Sequence, residues 1–186
     1  MQLTGLLHDM GKIMFLWGTR ADGQEGTANG HQWALGGDTW VVGCAIPDKA
    51  VILPSYNALN PDRHDPRYNT ATGMYQPKGG LDQLLFAWGH DEYMYRMLAA
   101  NTTCMLPKEA LDMIRYHSAY PLHEKNAYSH LLKDEDEERL EWVRLFNQFD
   151  LYTKDGSNDL RMNVNDLWPY YQGLLVKYGL DGKLKW

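Results

Sequence analysis

The segment LTGLLHDMGKIMFLW, residues 3–17, sets the fold class because its apolar residues recur at three- and four-residue spacing. These residues are Leu3, Leu6, Leu7, Met10, Ile13, Met14 and Trp17. This period predicts an amphipathic α-helix with one buried stripe. The opposite face carries Thr4, Gly5, His8, Gly11 and Lys12, so an imidazole and an ammonium group lie one turn apart beside Asp9. Since no capping residue precedes Leu3, we expect further sequence upstream of Met1.

The next part of the chain, up to residue 80, has no helical period. Residues 18–37 are rich in Gly and polar side chains and indicate a loop. The β-favouring runs 39–45 and 50–53 flank Pro47 and predict a small hairpin. Residues 54–80 contain Pro, Asn, Asp and Gly throughout, together with aromatic and charged residues. We expect this segment to be ordered and to cover a binding site.

Helices dominate the remainder. They are predicted at residues 81–99, 107–120, 134–150 and 169–179. Asp134 is the expected N-cap of the third of these, Pro169 opens the last one and Gly179 closes it. The sequence therefore predicts one all-α domain over residues 1–186, a helical bundle with a minor β-hairpin.

Composition excludes several classes of function. The net charge of −6 argues against nucleic-acid binding, which needs clustered Lys and Arg. No apolar run approaches the roughly 20 residues of a membrane span, and the start of the chain lacks the features of a signal peptide. Two cysteines, Cys44 and Cys104, do not form a disulfide framework. We expect a cytoplasmic protein that is a monomer and binds neither nucleic acid nor membrane.

Polar residues on the predicted helices are candidates for chemistry. Four helices each place a set of N or O donors toward the interior: His8 with Asp9, His90, His117 and Asp150. Each also has a structural interpretation, namely a solvated polar face for the His-Asp pair, a hydrogen-bonded core imidazole for His90 and His117, and an arginine salt bridge for Asp150. Imidazole and carboxylate without thiolate suit iron, manganese or zinc, and a carboxylate can bridge two metals. The residues alone predict a metal site in a helical bundle and leave its chemistry open.

Ordered segments along the whole chain resemble the myo-inositol oxygenase family. They are LTGLLHDMGK, GDTWVVGC, NPDRHDPRYNTATGMYQP, WGHDEY, MIRYHSAYPLH, FNQFDLYTK and PYYQGLLVKYG. That family is a divergent branch of the HD-domain superfamily, so the resemblance implies a compact all-α fold. It also implies a non-haem di-iron centre that opens the ring of myo-inositol with dioxygen to give D-glucuronate, a step of inositol catabolism. Neither a nicotinamide nor a flavin is required, and the sequence contains no GxGxxG or P-loop motif.

The resemblance carries residue roles onto this sequence. His8 and Asp150 would serve one iron, His90 and His117 the other, and Asp9 would bridge both. Lys12 would be catalytic, because its ammonium group can stabilise a substrate alkoxide. The substrate-binding residues implied are Lys12, Gly37, Asp38, His117 and Ser118.

The sequence departs from the family at its start. The family has a further His ligand and additional substrate contacts upstream of the His-Asp helix, whereas this chain begins at Met1. The remaining imidazoles, those of His31, His64, His123 and His130, do not stand in the context of that ligand. Two alternatives stay open. One is a metal-dependent phosphohydrolase of the HD superfamily, because such enzymes use similar His and Asp ligands. The other is a truncated fragment without catalysis, which the uncapped start at Met1 favours.

Overall fold

The computed structural model describes residues 1–16, 33–150 and 163–186. The α-helices in these ranges are α1 Gln2–Leu7, α2 Trp33–Gly36, α3 His90–Ala100, α4 Lys108–Tyr116, α5 Tyr120–His123, α6 Asp136–Asp150 and α7 Val164–Lys177. Short 3₁₀ helices occur at Met10–Leu16, Asp48–Ala50, Pro54–Leu59, Pro61–His64, Leu81–Gln83 and Ser129–Leu131. The described parts of the chain contain no β-strand beyond one isolated bridge. The fold is an all-α, HD-like helical bundle, as predicted.

Two hydrophobic clusters form the core of the described residues, and α4 contributes to both. The first cluster joins α4, α5 and α6 to residues 41–44 and 75–86, and it includes Tyr116, Leu122, Leu140 and Val143. The second joins α1, α3 and α4 to the C-terminal part of the chain, and it consists of Leu3, Leu7, Met94, Met97, Leu98, Ile114 and Leu180. α3 packs along α4, and α4 packs along α6. The start of α3 and the ends of α4 and α6 therefore come close together.

The opening helix is shorter than predicted. It ends at Leu7, the chain turns at His8 and Asp9, and a 3₁₀ helix follows from Met10 to Leu16. A 3₁₀ helix has three residues per turn, so the predicted stripe does not stay on one side. Leu3, Leu7, Met14 and also Thr4 are buried, whereas Leu6, Met10 and Ile13 are 38–39% exposed. Trp17 and most of the predicted loop 18–37 lie outside the described residues, and Trp33–Gly36 of that loop forms α2.

Gly11 explains how the opening segment reaches α3. A Cβ atom at this position would lie 2.0 Å from the carbonyl oxygen of His90, far inside van der Waals contact. Only a glycine lets the two backbones approach this closely. The 3₁₀ helix is thereby seated directly against the start of α3, and the turn at His8 and Asp9 is brought beside it.

The predicted hairpin of residues 39–45 and 50–53 is wrong. Val41 instead forms an isolated antiparallel bridge with Phe86. The backbone N–H of Val42 donates to the carbonyl of Leu85, and that of Ala87 to Trp40, both at 2.9 Å. These lateral hydrogen bonds keep residues 84–87 extended, so the predicted helix 81–99 begins only at His90.

Other helix ends also differ from the prediction. α4 ends at Tyr116 rather than near Tyr120, and Pro121 lies in the first turn of α5 instead of stopping α4. α7 begins at Val164, because the side chain of Asn163 accepts a hydrogen bond from the N–H of Asn165, and Pro169 lies inside it. The prediction for Gly179 is confirmed, since its φ of +67° ends the helix in the left-handed conformation.

α6 spans Asp136–Asp150, close to the predicted 134–150. Its first turn is held by Asp136 rather than Asp134. The buried Asp136 carboxylate accepts hydrogen bonds from the N–H groups of Leu81 at 2.8 Å and Lys133 at 3.0 Å. α6 is thereby fixed at its N-terminus to the segment that leads into α3.

Residues 54–80 form short 3₁₀ helices and turns rather than a structureless loop. Tyr75 anchors the segment, because its hydroxyl donates to the carbonyl of Val42 at 2.5 Å and accepts from the N–H of Leu85 at 3.1 Å. The N–H of Met74 donates to Gly43 at 2.9 Å. The segment is thus attached to residues 42–43 and 85, and its role as a cover stays a prediction.

None of the described helices combines the length and the hydropathy that crossing a membrane requires.

Candidate metal centre

The five residues predicted as metal ligands all lie at helix ends. His8 and Asp9 form the turn that follows α1. His90 is the first residue of α3, His117 caps the end of α4 and Asp150 is the last residue of α6. The ring centroid of His117 lies 4.8 Å from that of His8 and 5.0 Å from that of His90. Segments that are distant in sequence therefore meet at one place.

The three imidazole rings of this cluster are oriented by backbone carbonyl groups. Each Nδ1 atom lies 2.8 or 2.9 Å from a carbonyl oxygen: that of Gly5 for His8, Leu35 for His90 and Ile114 for His117. A carbonyl oxygen accepts and cannot donate, so each Nδ1 carries a proton and donates it. The Nε2 atom of each neutral ring then keeps a free lone pair, which is the form in which histidine binds metals.

The lone pairs of His90 and His117 converge on one oxygen of Asp9. The two Nε2 atoms lie 3.1 Å apart. Asp9 Oδ1 lies 3.3 Å from His90 Nε2 and 3.6 Å from His117 Nε2. With both Nδ1 atoms protonated, no hydrogen is left to share between the Nε2 atoms, so acceptors face acceptors. A cation among these three atoms removes the repulsion.

The other oxygen of Asp9 faces a different pair. Asp9 Oδ2 lies 3.6 Å from His8 Nε2, which in turn lies 2.9 Å from Asp150 Oδ1. The side chains of His8 and Asp150 are only 12% and 18% exposed. A lone pair and a carboxylate at this distance need a proton or a metal ion between them. The two oxygens of Asp9 are thus divided between the His90–His117 pair and the His8–Asp150 pair.

Lys12 supplies a positive charge next to this cluster. Its Nζ lies 2.6 Å from Asp9 Oδ1 and 2.7 Å from Asp9 Oδ2. Burial raises the pKa of Asp9, but the neighbouring side chains of His117, His90 and Lys12 together outweigh it and hold the pKa well below its usual range. Asp9 Oδ1 is buried and makes no hydrogen bond of good geometry, although Lys12 is close. This oxygen is available to a cation.

The donor set therefore fits a metal ion. Ligand atoms of His8, Asp9 and His117 all lie within 4.8 Å of one another. His90 and Asp150 extend the group on either side of Asp9. Neutral imidazoles with carboxylates are typical ligands of iron, manganese and zinc.

The contacts also bear on the structural interpretations of these residues. His8 is largely buried and so does not lie on a solvated face, whereas Asp9 and Lys12 are each 42% exposed. Among the described residues, the ion-pair partner of Asp150 is His8 and not an arginine. His90 and His117 do make core hydrogen bonds through Nδ1, but this leaves the direction of their Nε2 atoms unexplained without a cation.

The predicted substrate-binding residues are close to the cluster along the chain. Gly37 and Asp38 follow α2 and are exposed. The next residue, Thr39, donates its N–H to the carbonyl of Ser118 at 3.0 Å. Partial burial and the charge of Glu124 raise the pKa of Asp38. The fold therefore brings the Gly37–Asp38 turn beside the end of α4 and its His117–Ser118 pair.

Sequence reasoning missed three polar residues that contact His117 and Ser118. Asn147 of α6 donates to the carbonyl of His117 at 2.8 Å, and His123 Nε2 lies 3.2 Å from the same oxygen. Asp91, which follows His90, accepts a hydrogen bond from Ser118 Oγ at 2.5 Å. A signal for Asp91 was present, since His90-Asp91 repeats the dipeptide His8-Asp9. Nothing comparable marks Asn147 or His123.

Comparisons with known proteins agree with the geometry. A family profile described as "Myo-inositol oxygenase" matches residues 1–186. "Inositol oxygenase" from Mus musculus is 49% identical over 99% of this chain and 59% of its own length. The Danio rerio protein of that name is 45% identical over the whole chain and 61% of its own length. "Inositol oxygenase 1" from Arabidopsis thaliana is 42% identical over the whole chain and 55% of its own length. The chain thus spans between half and two thirds of the length of these relatives.

Proposed function

The chain belongs to the myo-inositol oxygenase family, and on this premise we propose that it carries a di-iron centre that opens the ring of myo-inositol with dioxygen. The product is D-glucuronate, and water is the co-product. One C–C bond breaks, the two carbons become an acid and an aldehyde, and dioxygen accepts all the electrons released. No external reductant is needed for the overall reaction. We also propose that residues 1–186 form one HD-like domain.

The observation that carries this proposal is the division of the Asp9 oxygens. Oδ1 lies with the Nε2 atoms of His90 and His117, while Oδ2 lies toward His8 and its partner Asp150. A carboxylate placed between two donor pairs is suited to bridging two metal ions. His90 and His117 would hold one iron, and His8 and Asp150 the other. When bound, the iron ions supply Lewis-acid binding of the diol and the site at which dioxygen is reduced.

The side chains around the centre bind and orient the substrate. The Lys12 ammonium group, which lies one turn from His8, would donate to a substrate oxygen and stabilise it as an alkoxide. Gly37, Asp38 and Ser118 would bind further hydroxyl groups of the ring. The ring of Phe146 packs edge-on against His8 with centroids 5.2 Å apart, and it excludes water from that side.

The proposal extends to the surroundings of the protein. Both cysteines are free, and Cys44 is buried, which suits a reducing compartment such as the cytoplasm. We propose that the protein works as a monomer with myo-inositol and dioxygen as its partners. Sedimentation of the purified chain tests the monomer.

Oxygen uptake tests the function. The chain would be loaded anaerobically with Fe(II), its iron content measured, and air-saturated buffer then added with or without myo-inositol. We expect oxygen consumption that depends on inositol, with one glucuronate formed for each dioxygen. A generic phosphate ester serves as the control substrate. A chain that holds two irons and consumes no oxygen with inositol contradicts the proposal, and release of phosphate would favour a hydrolase instead.

A further inference from the structure

Asp91 is a buried carboxylate to which no role has been given. It is the second residue of α3, directly after His90, and it is 1% exposed. Its Oδ2 accepts the hydroxyl hydrogen of Ser118 at 2.5 Å, and its Oδ1 accepts the N–H of Glu92 at 2.8 Å. Ser118 is itself 5% exposed. A hydrogen bond to a carboxylate that is shielded from water is short and strong.

The two partners of this hydrogen bond stand next to two imidazoles. Asp91 follows His90 at the start of α3, and Ser118 follows His117 at the end of α4. The Nε2 atoms of those imidazoles lie 3.1 Å apart and share Asp9 Oδ1. The hydrogen bond therefore completes a closed path of contacts that runs from His90 through Asp91 and Ser118 to His117. The hydrogen bond thus contributes to the separation of the two imidazoles.

Two further hydrogen bonds hold His117 and Ser118 from other segments. Asn147 donates to its carbonyl at 2.8 Å from α6, and Thr39 donates to the carbonyl of Ser118 at 3.0 Å from the segment after α2. Neither contact involves α3. The Asp91–Ser118 hydrogen bond ties the residue after His117 directly to the residue after His90. The Arg115–Glu92 ion pair, at 2.7 Å, joins the same two helices but involves neither of these residues.

We propose that Asp91 is a positioning residue that acts through Ser118 to set the spacing of His90 and His117 for the metal ion they share. This inference rests on the proposed metal centre. Partners that orient ligands from outside the metal's own shell commonly affect metal affinity about 10- to 100-fold. The effect falls on the ion held by His90 and His117, and it spares the one held by His8 and Asp150.

The substitution Asp91→Asn probes the hydrogen bond at nearly constant volume. Asp91 accepts from two donors, the Ser118 hydroxyl and the Glu92 N–H. An asparagine side chain has one acceptor oxygen and one donor NH₂ group, so it can satisfy only one of the two. Ser118→Ala removes the same link from the other end and deletes a single oxygen. It carries the test even where Asp91→Asn folds poorly.

The experiment is an anaerobic Fe(II) titration of the full chain against a chromophoric chelator. It compares the unsubstituted chain, Asp91→Asn, Ser118→Ala and the double variant. We expect the unsubstituted chain to bind two equivalents. Each single variant should keep one equivalent and bind the other about 10- to 100-fold more weakly, and the double variant should lose no more than either single one. With Co(II) as the probe, both single variants should change the visible spectrum of that equivalent in the same way.

Asp136→Asn is the matched control. Asp136 is also a buried aspartate in the first turn of a helix, and it accepts from the backbone N–H groups of Leu81 and Lys133 and from Arg139. Its substitution should lower stability and leave both metal equivalents unchanged. The inference is overturned if Asp91→Asn affects the metals no more than this control, or if the losses in the two single variants multiply in the double variant. Failure of the unsubstituted chain to bind two equivalents overturns the proposed centre and this inference together.

Discussion

Two polar clusters inside the bundle are built on opposite principles. The arginine network consists of Arg139 with Asp82, Asp112 and Asp136, and here each buried carboxylate meets donors. Asp112 accepts from Arg139 with both oxygens, at 2.7 and 2.8 Å, while Asp136 accepts from Arg139 and two backbone N–H groups. The candidate metal centre, defined by His8, Asp9, His90, His117 and Asp150, instead directs acceptors at acceptors.

This difference in hydrogen bonding distinguishes a network that stabilises the fold from a site that binds a ligand. A network whose donors and acceptors match within the protein needs nothing more, and it joins α4 to α6. In the candidate metal centre, the only ammonium or guanidinium group that contacts the cluster among the described residues is that of Lys12, on Asp9. Three imidazoles with their protons directed outward leave lone pairs that a cation must meet. Burial alone does not distinguish the two clusters, whereas the direction of the protons does.

Removing the shared carboxylate should have the largest effect. In Asp9→Ala both donor pairs lose their common ligand, so we expect the bound metal to fall from two ions per chain to none and inositol-dependent oxygen uptake to vanish with it. Metal analysis of the purified variant measures this. Asp65→Ala, which removes a carboxylate from the exposed pair with Arg67, should keep both ions. Two irons in the Asp9 variant would refute the bridging role.

Arg139→Met tests the other side of the comparison. It leaves the buried Asp112 carboxylate without its partner, and breaking such a pair costs about 3 kcal/mol or somewhat more. We expect that loss in the free energy of unfolding, measured by urea denaturation, with unchanged metal content. Arg67→Met breaks an exposed pair and should lower the free energy of unfolding far less, because surface ion pairs contribute little to stability. Equal stabilities for the two variants would show that the network does not support the fold.

Lys12→Ala should separate binding of the metal from turnover. Lys12 contacts Asp9 but is not part of either donor pair, so both irons should remain. Loss of one group that stabilises developing negative charge typically lowers kcat by about 10²-fold or more. Iron analysis and steady-state oxygen uptake on the same sample measure the two quantities. Unchanged turnover contradicts the role of Lys12, and Lys12→Arg, which keeps the charge, should retain part of the activity.

The sequence predicted the fold class and which residues lie close together. Helical spacing and the family resemblance both carry this information. It could not predict where helices give way to other structure. Leu6, Met10 and Ile13 fit the helical stripe but are partly exposed, since the chain switches to a 3₁₀ helix after Asp9. The start of α3 was misplaced because residues 84–87 form lateral hydrogen bonds with a segment more than forty residues away in sequence.

The arrangement of the candidate metal centre could not be predicted from the sequence, for a related reason. The carbonyl groups that orient His8 and His117 are local, three residues back along the chain, whereas the one that orients His90 belongs to Leu35. Tertiary contacts of this kind leave no periodic pattern. The hydrogen bonds of Asn147 with His117 and of Asp91 with Ser118 are also tertiary contacts, so these pairings could not be predicted from the sequence.

The smallest expected effect concerns Cys44, which reports whether the hydrophobic core is independent of the candidate metal centre. It is 3% exposed, it belongs to the hydrophobic cluster of Tyr116 and Leu140, and burial raises its pKa to about 11. Because the thiolate is the reactive form and Cys44 is the more buried of the two cysteines, a thiol reagent at pH 8 should label Cys104 much faster than Cys44. Cys104→Ser identifies the fast phase.

If the contacts within the core are sufficient to keep Cys44 buried, chelating the metal should leave the slow labelling rate of Cys44 unchanged. Faster labelling of Cys44 after chelation would mean that the metal centre also supports the core, and the division between scaffold and site would then be false.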